Sequence, residues 1–122
     1  MPKESPHFDR KELECKCGCG WYNLKPEVLG ILEQIRFRYG GAVVVSSACR
    51  CPKHNAEVEG GPEHPDGEAV DIVCKTARLR YLILETAFRE SVPRIGIAET
   101  FVHLGISQKL PREVLWTYPA KG

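Results

Sequence analysis

Two histidines and one aspartate have the side-chain types and spacing of an open metal site. His64 ends a predicted loop, Asp71 follows inside a β-branched segment, and His103 lies in a second such segment. Strand side chains alternate between the faces of a sheet, so Asp71 and His103 converge if their strands are neighbours. Two imidazoles and a carboxylate bind Zn²⁺ and leave a fourth position for water. Such an ion lowers the pKa of that water to roughly 7 and polarises a carbonyl group.

Asp71 is the member of this set that is hardest to explain without a ligand. It lies between Val70 and Ile72, in a segment with the composition of a buried strand. An unpaired buried charge is costly, so Asp71 needs a partner. For His103 taken alone, a structural role in the sheet is an equal alternative.

Cysteines form a second set of candidate ligands. Three of them alternate with other residues, and a fourth follows on a later loop: Cys15, Cys17, Cys19 and Cys51. These four can bind a second, structural zinc, although a one-residue gap is tighter than the usual zinc motif. Cys49 and Cys74 can pair as a disulfide, or they can be small buried apolar residues.

The elements that must position these groups are read from apolar periodicity and from helix-capping residues. Pro26 opens a helix that Gly40-Gly41 ends, and Thr76 caps a second helix that ends before Pro93. The second helix is predicted to have an apolar face made of Leu79, Leu82, Ile83, Ala87 and Phe88. Short β-branched stretches predict strands over 42–46, 68–73, 95–98 and 101–106, a loop over 48–67, and an irregular end over 107–122.

Helices followed by short adjacent strands predict an α+β fold with a small antiparallel sheet packed against helices. The length of 122 residues suits one domain, 1–122. The net charge of +1, from 17 basic and 16 acidic residues, argues against a dedicated nucleic-acid-binding protein. No apolar run approaches the roughly 20 residues of a membrane span, so no membrane insertion is expected. The segment Met1–His7 lacks the apolar core of a signal peptide, which predicts cytoplasmic synthesis.

A known family is recognisable in these motifs. The segment from His64 to Asp71 resembles the HxxGxAxD signature of the M15 zinc peptidases. That family includes D-Ala-D-Ala carboxypeptidases and phage endopeptidases, and it shares a fold with the hedgehog signalling domain. Other matching segments follow in the right order over roughly residues 8–119: Phe8 with Cys15–Cys19, Ser47–Asn55, Gly60-Gly61, Arg94–Ile97, Phe101–His103 and Trp116–Pro119.

The resemblance implies roles for individual residues. It implies that His64, Asp71 and His103 bind Zn²⁺. It also implies that Arg50 contacts the carboxylate or carbonyl of the substrate, with Ser47 in the same substrate-binding segment. Without the resemblance, Arg50 would read as a solvated loop arginine.

A general base is the remaining requirement for hydrolysis. Family members commonly supply a carboxylate a few residues before the third ligand, and Glu99 is four residues before His103. Glu99 is therefore the predicted base, with Glu68 a weaker candidate on the opposite strand face from Asp71. Glu63 and Asp66 flank His64 and can instead hold its other ring nitrogen.

The resemblance implies a zinc metallopeptidase that hydrolyses peptide bonds of bacterial cell-wall peptidoglycan, of the D-Ala-D-Ala carboxypeptidase or L,D-endopeptidase type. Its partner would be the peptidoglycan stem peptide, and we expect a monomer. A phage or prophage product delivered by tail or lysis machinery suits the missing leader. A catalytically impaired, zinc-containing binding module is the alternative, because Gly105 replaces an acid that often follows the third ligand by two residues. A purely structural zinc protein built on Cys15–Cys19 is a third interpretation.

Overall fold

A computed structural model describes residues 4–119 of the chain. The predicted domain, 1–122, extends three residues beyond each end of this range. The first three residues of the segment Met1–His7, which lacks the apolar core of a signal peptide, also lie outside the described residues. The elements of residues 4–119 are α1 (Arg10–Leu13), α2 (Pro26–Tyr39), β1 (Val45–Ser47), α3 (Pro52–Glu57), β2 (Ala69–Val73), α4 (Ala77–Arg89), β3 (Arg94–Ile97), β4 (Phe101–Gly105) and β5 (Val114–Thr117).

The five strands form one sheet in the order β1-β2-β4-β3-β5. The first four are antiparallel neighbours, whereas β5 joins β3 in parallel. The α+β class is therefore confirmed, and the sheet is mixed. The irregular end predicted over 107–122 was wrong at Val114–Thr117. This strand lies at the sheet edge and alternates half-buried with exposed residues, so it lacks the apolar density that marks the inner strands.

Both long helices begin and end where their capping residues predict. Pro26 is the first residue of α2, and Gly40 ends it with a left-handed φ of 72°. The Thr76 hydroxyl accepts from the backbone N–H of Leu79 and so caps α4. The predicted apolar face of α4 was wrong at Phe88, which is 63% exposed.

Two further corrections concern the segments around the candidate site. The loop predicted over 48–67 contains α3, which the Cys51 sulfur caps by accepting from the His54 N–H. The first strand covers Val45–Ser47, later than the predicted 42–46. Short elements such as these carry little periodicity, so residue patterns alone locate them poorly.

The hydrophobic core fills the space between the helices and one face of the sheet. It joins buried residues of α2 and α4 to the inner strands: Val28, Leu32, Ile35, Ile83, Ala87, Val70, Ile72, Val102 and Leu104. This packing fixes β2 and β4 as a rigid pair. None of the helices within residues 4–119 combines the length and apolar content that crossing a bilayer requires.

Candidate functional site

One row of residues crosses all five strands of the sheet. Ser47 of β1 pairs with Asp71 of β2, and Asp71 pairs with His103 of β4. His103 then pairs with Gly96 of β3, and Gly96 with Trp116 of β5. Residues directly opposite each other point to the same face of a sheet. The predicted convergence of Asp71 and His103 is therefore confirmed.

His64, Asp71 and His103 form one compact group, here named the histidine–aspartate site. Asp71 Oδ1 lies 2.8 Å from His103 Nδ1, and Asp71 Oδ2 lies 3.4 Å from His64 Nε2. The three ligand atoms all lie within 4.8 Å of one another. Tetrahedral Zn²⁺ with ligands at about 2.0–2.2 Å places neighbouring donors about 3.4 Å apart. The donor types therefore suit a zinc ion, and the 3.4 Å separation of Asp71 Oδ2 from His64 Nε2 matches this spacing.

His64 is held in the tautomer that a metal ligand needs. Its Nδ1–H donates to the Ala48 carbonyl at 2.7 Å. A carbonyl can only accept, so Nδ1 carries a proton and Nε2 is the ring nitrogen that can bind a metal. The prediction that Glu63 or Asp66 holds this nitrogen was wrong, because the backbone of Ala48 already occupies that position.

Glu63 instead holds His103. Its Oε1 accepts from His103 Nε2 and from Arg94 Nε, each at 3.0 Å. Its Oε2 accepts from the Ser107 N–H at 3.3 Å. The Glu63 side chain is 4% exposed, so these partners compensate a buried charge. The sequence analysis missed this contact between Glu63 and His103.

Gly105 explains why Glu63 fits there. A Cβ at position 105 would overlap the Glu63 carboxylate. The chain therefore has a glycine where the M15 resemblance expects an acid, and a glutamate from another loop fills the space. The signal available in the sequence was the joint presence of Glu63 beside His64 and of Gly105 two residues after His103.

The ionisable groups of the site shift one another's pKa. Burial opposes the charge on His103, but hydrogen bonds with Asp71 and Glu63 outweigh it and raise its pKa to about 9. Burial likewise acts against the charge on Asp71, yet the hydrogen bond with His103 and the nearby His64 ring hold its pKa well below the ordinary value. His103 and Arg94 similarly lower the pKa of Glu63 despite burial. His103 thus lies between two carboxylates, those of Asp71 and Glu63.

Arg50 lies beside the histidine–aspartate site. Its Nη2 donates to Ser47 Oγ at 2.7 Å and its Nη1 donates to Asn55 Oδ1 at 3.0 Å. Nη2 is also 4.0 Å from Asp71 Oδ2. The side chain is only 12% exposed, so the interpretation as a solvated loop arginine is wrong.

The hydrogen bond between Asn55 and Arg50 is a second contact that was not predicted from the sequence. The side-chain amide of Asn55 donates to the carbonyls of Gly60 and Gly61 at 3.2 and 3.1 Å. A Cβ at position 60 would overlap the Arg50 guanidinium and the Asn55 amide. The Gly60-Gly61 turn therefore closes over Arg50 because it has no side chain there.

A cleft of about 250 Å³ opens over the histidine–aspartate site. Trp116 lies over Gly96, where a Cβ would meet the indole, and its ring centroid is 5.5 Å from that of His103. The cleft lining also includes Arg50, the turn 59–62, Phe101 and Tyr118. The site thus combines two buried histidines and a partly buried aspartate with a cation and with three aromatic side chains. These three are here named the aromatic wall: Phe101, Trp116 and Tyr118. This combination is typical of a binding site for small polar molecules.

A larger cavity of about 450 Å³ lies elsewhere, between the end of α4 and β5. Its lining includes Phe88, Pro93 and Leu115, but no residue of the histidine–aspartate site. We locate the functional site in the smaller cleft because the polar and ionisable groups converge there.

Glu99 lies outside the lining of the cleft. It is exposed in the turn between β3 and β4, and its backbone carbonyl accepts from Arg80 Nη2 at 2.7 Å. Glu68 is half-buried just before β2 and does not line the cleft either. Glu59 does line the cleft and is exposed. A catalytic role for Glu99 stays a prediction.

The cysteines separate into two groups. Cys49 and Cys74 are buried free thiols, so their predicted alternative pairing as a disulfide was wrong. Burial raises the pKa of both thiols, which keeps them protonated. The other four lie together, with their sulfur atoms within 4.8 Å of one another: Cys15, Cys17, Cys19 and Cys51. We name these four the cysteine cluster.

Comparison with known families adds one result. A family model described as Peptidase M15 matches residues 6–105. This range contains every residue of the histidine–aspartate site and of the cysteine cluster, together with Arg50. It ends before β5, which supplies Trp116 to the cleft. No curated protein matches the chain.

Proposed function

Because the chain belongs to the peptidase M15 family, we propose that it is a zinc-dependent peptidase acting on the stem peptides of bacterial peptidoglycan. The observation that carries this proposal is the group of two buried histidines and one partly buried aspartate, which lies beside an arginine in an open cleft. A D-Ala-D-Ala carboxypeptidase and an L,D-endopeptidase both fit this arrangement. The phage or prophage origin and the monomeric state stay predictions.

The zinc ligands in this proposal are His64 Nε2, an Asp71 carboxylate oxygen and His103 Nδ1. Their donor types suit zinc, and three protein ligands leave a position open, as in catalytic zinc sites. A bound zinc ion supplies Lewis-acid activation of water and of a peptide carbonyl. The hydrogen bond from His64 to Ala48 fixes the first imidazole in the ligating tautomer.

Glu63 is a positioning residue in the same proposal. It accepts from His103 Nε2, on the ring edge away from Asp71. This leaves Nδ1 for the metal and fixes the plane of the ring. Its charge is already balanced by Arg94, so it can hold the imidazole without a further partner.

Arg50 binds the substrate. Ser47 and Asn55 accept one N–H from each terminal nitrogen and so fix the guanidinium plane. The remaining N–H groups are free to bind a substrate carboxylate or the oxyanion that develops during hydrolysis. In this proposal Ser47 positions Arg50 and borders the bound peptide.

The aromatic wall of the cleft would contact the bound peptide. Phe101 and Tyr118 lie with ring centroids 5.2 Å apart, and Trp116 adjoins Tyr118 at 6.3 Å. Flat apolar rings suit the methyl groups of alanine residues. A short peptide with a nearby carboxylate therefore complements both walls of the cleft.

Two carboxylates are candidates for the general base. Glu99 is the residue that the sequence predicts, and Glu59 is the exposed carboxylate in the cleft lining. Glu99→Gln and Glu59→Gln should both keep zinc, because neither residue is a ligand. The variant that loses hydrolysis while retaining zinc identifies the base, and full activity in a variant removes that residue from the mechanism.

A zinc-containing binding module is the second candidate function. It is favoured by one observation: the buried carboxylate nearest to the ligands, Glu63, is fully occupied by His103, Arg94 and Ser107. Such a protein would retain the stem peptide without cleaving it.

Digestion of purified peptidoglycan, followed by mass analysis of the fragments, tests the proposal. The zinc-loaded protein should release free D-alanine if it is a carboxypeptidase, or shortened stem peptides if it is an endopeptidase. His103→Ala should release neither, and His54→Ala, which alters a histidine of α3 outside the cleft, is the matched control. Retention on peptidoglycan without any cleavage would contradict the enzyme and support the binding module.

A further inference from the structure

The cysteine cluster joins two parts of the chain that are far apart in sequence. Cys15, Cys17 and Cys19 lie in a tight loop after α1, and Cys51 lies at the start of α3. The Cys15 and Cys17 sulfurs are 3.4 Å apart, and those of Cys17 and Cys51 are 3.8 Å apart. Two of the four residues are buried and two are exposed. The four sulfur atoms therefore lie together at the boundary between the protein interior and the solvent.

These distances distinguish a metal site from a disulfide. A disulfide has an S–S bond of about 2.05 Å, and all four cysteines are free thiols. A tetrahedral zinc ion with Zn–S distances of about 2.3 Å places its sulfurs about 3.8 Å apart. The observed separations, 3.4 and 3.8 Å with the remainder within 4.8 Å, match the edges of such a tetrahedron.

Backbone N–H groups already point at two of the sulfurs. The Cys51 N–H donates to Cys15 Sγ at 3.3 Å, and the His54 N–H donates to Cys51 Sγ at 3.4 Å. Donors of this kind stabilise the negative charge of a thiolate. They also orient the sulfurs from the main chain, so the arrangement does not depend on side-chain rotamers alone.

The loop that carries three of the sulfurs is shaped by glycine. Gly18 and Gly20 have left-handed φ angles of 88° and 84°. The Cys15 N–H donates to the Trp21 carbonyl at 2.9 Å and closes the loop. This tight turn brings cysteines at two-residue spacing to one point, which ordinary extended chain does not do because alternate side chains are about 7 Å apart.

We propose that this cluster binds a second, structural zinc ion through four thiolates: Cys15, Cys17, Cys19 and Cys51. Each thiol releases its proton to solvent as it binds. Soft thiolates select zinc over magnesium or calcium. Four protein ligands complete the coordination shell, so the ion has no position for substrate and takes no part in the reaction.

The position of Cys51 indicates what this second ion stabilises. Cys51 directly follows Arg50, whose guanidinium is 4.0 Å from Asp71. A metal that ties Cys51 to Cys15 therefore fixes the segment that carries the substrate-binding arginine. The same tie anchors the N-terminal segment, whose Leu13 carbonyl accepts from the Cys49 N–H at 2.9 Å. The metal does not depend on peptidase activity, so its failure would leave the proposed function standing.

Metal content of the purified protein tests this inference. Native mass spectrometry should find two zinc ions per chain in the wild type and one in Cys17→Ser/Cys19→Ser. Because both residues are exposed, their substitution removes ligands without opening the core. Cys74→Ala, which alters a buried cysteine outside the cluster, should keep both ions. Two zinc ions in the double variant would overturn the assignment.

Cobalt substitution gives a second test on unaltered protein. Wild-type protein loaded with Co²⁺ should show intense thiolate-to-cobalt charge-transfer absorption, and His103→Ala should retain that absorption. Absence of the bands would overturn the proposal. So would an intact mass and thiol-alkylation count that reveal a disulfide among the four residues in freshly purified protein.

Discussion

The histidine–aspartate site and the cysteine cluster lie close to one segment, Ser47–Cys51, but they are built by opposite means. In the first, two of three ligands come from paired inner strands, and only His64 comes from a loop. In the second, all four sulfurs come from a loop or a helix start. The first set offers three donors and the second offers four. A catalytic zinc site keeps a coordination position open, whereas a structural zinc site is closed by four protein ligands.

The two groups also differ in what holds their ligands in place. Each imidazole of the histidine–aspartate site has an outer partner: Ala48 for His64 and Glu63 for His103. The sulfurs of the cysteine cluster receive backbone N–H groups instead. Substitutions should therefore affect the two groups independently, and the predictions below test that independence.

The largest effect is expected from His103→Ala. Removal of one of three ligands should eliminate zinc from the histidine–aspartate site and abolish measurable hydrolysis, because the remaining donors cannot retain the ion. The cysteine cluster should keep its metal, so total zinc should fall from two ions to one by native mass spectrometry. Loss of both ions would mean that the two groups do not bind metal independently.

Staged metal removal should separate the two groups in unaltered protein. The open site exposes its ion to a chelator, whereas four thiolates enclose theirs. Increasing dipicolinate should therefore abolish activity after loss of one zinc ion, with no change in the circular dichroism spectrum. Added zinc should restore activity. Simultaneous release of both ions, or unfolding at the first step, would contradict this difference.

Arg50→Ala should reduce kcat/KM for stem peptides by about 10–100-fold, since hydrogen bonds to charged groups contribute about 1.5–3 kcal/mol. Zinc content should not change, because Arg50 is not a ligand. Arg50→Lys is the matched control for charge: a single ammonium cannot reproduce the two contacts with Ser47 and Asn55, so it should restore little. Unchanged kinetics in both variants would exclude Arg50 from substrate binding.

Glu63→Gln should lower the zinc affinity of the histidine–aspartate site by about tenfold or more. The reason is that residues hydrogen-bonded to metal-ligating histidines contribute about 10–100-fold to metal affinity. The affinity of the cysteine cluster should not change. Competition with a fluorescent zinc indicator measures both constants. Glu68→Gln, which alters a nearby carboxylate outside the cleft, is the control. Equal affinities in all three proteins would remove Glu63 from the positioning role.

Gly105→Ala should have the smallest effect, a loss of about 1–3 kcal/mol in the free energy of unfolding, typical of added bulk in a filled space. The added Cβ would overlap the Glu63 carboxylate. In a Glu63→Ala background the same substitution should cost less, because that carboxylate is gone. Urea unfolding of the wild type, the two single variants and the double variant measures the coupling free energy. Strictly additive changes in the free energy of unfolding would contradict the contact between position 105 and Glu63.

Helices and strands with clear residue periodicity or a recognisable motif could be predicted from the sequence. The long helices α2 and α4 have capping residues and apolar periodicity, and Asp71 and His103 lie in recognisable strands. The partner of His103 could not be predicted, because Glu63 reaches it from a loop 40 residues away. Trp116 was missed as a cleft residue for the same reason. Its contact depends on Gly96 and on a parallel edge strand, and neither leaves a periodic pattern.

Zinc-edge anomalous diffraction from crystals of the zinc-loaded protein would locate its metal ions directly. We expect two separate anomalous peaks. One should be bound by His64 Nε2, Asp71 and His103 Nδ1, with solvent completing its coordination, and the other by four cysteine sulfurs. Absence of a peak between the two histidines and Asp71 would contradict the account.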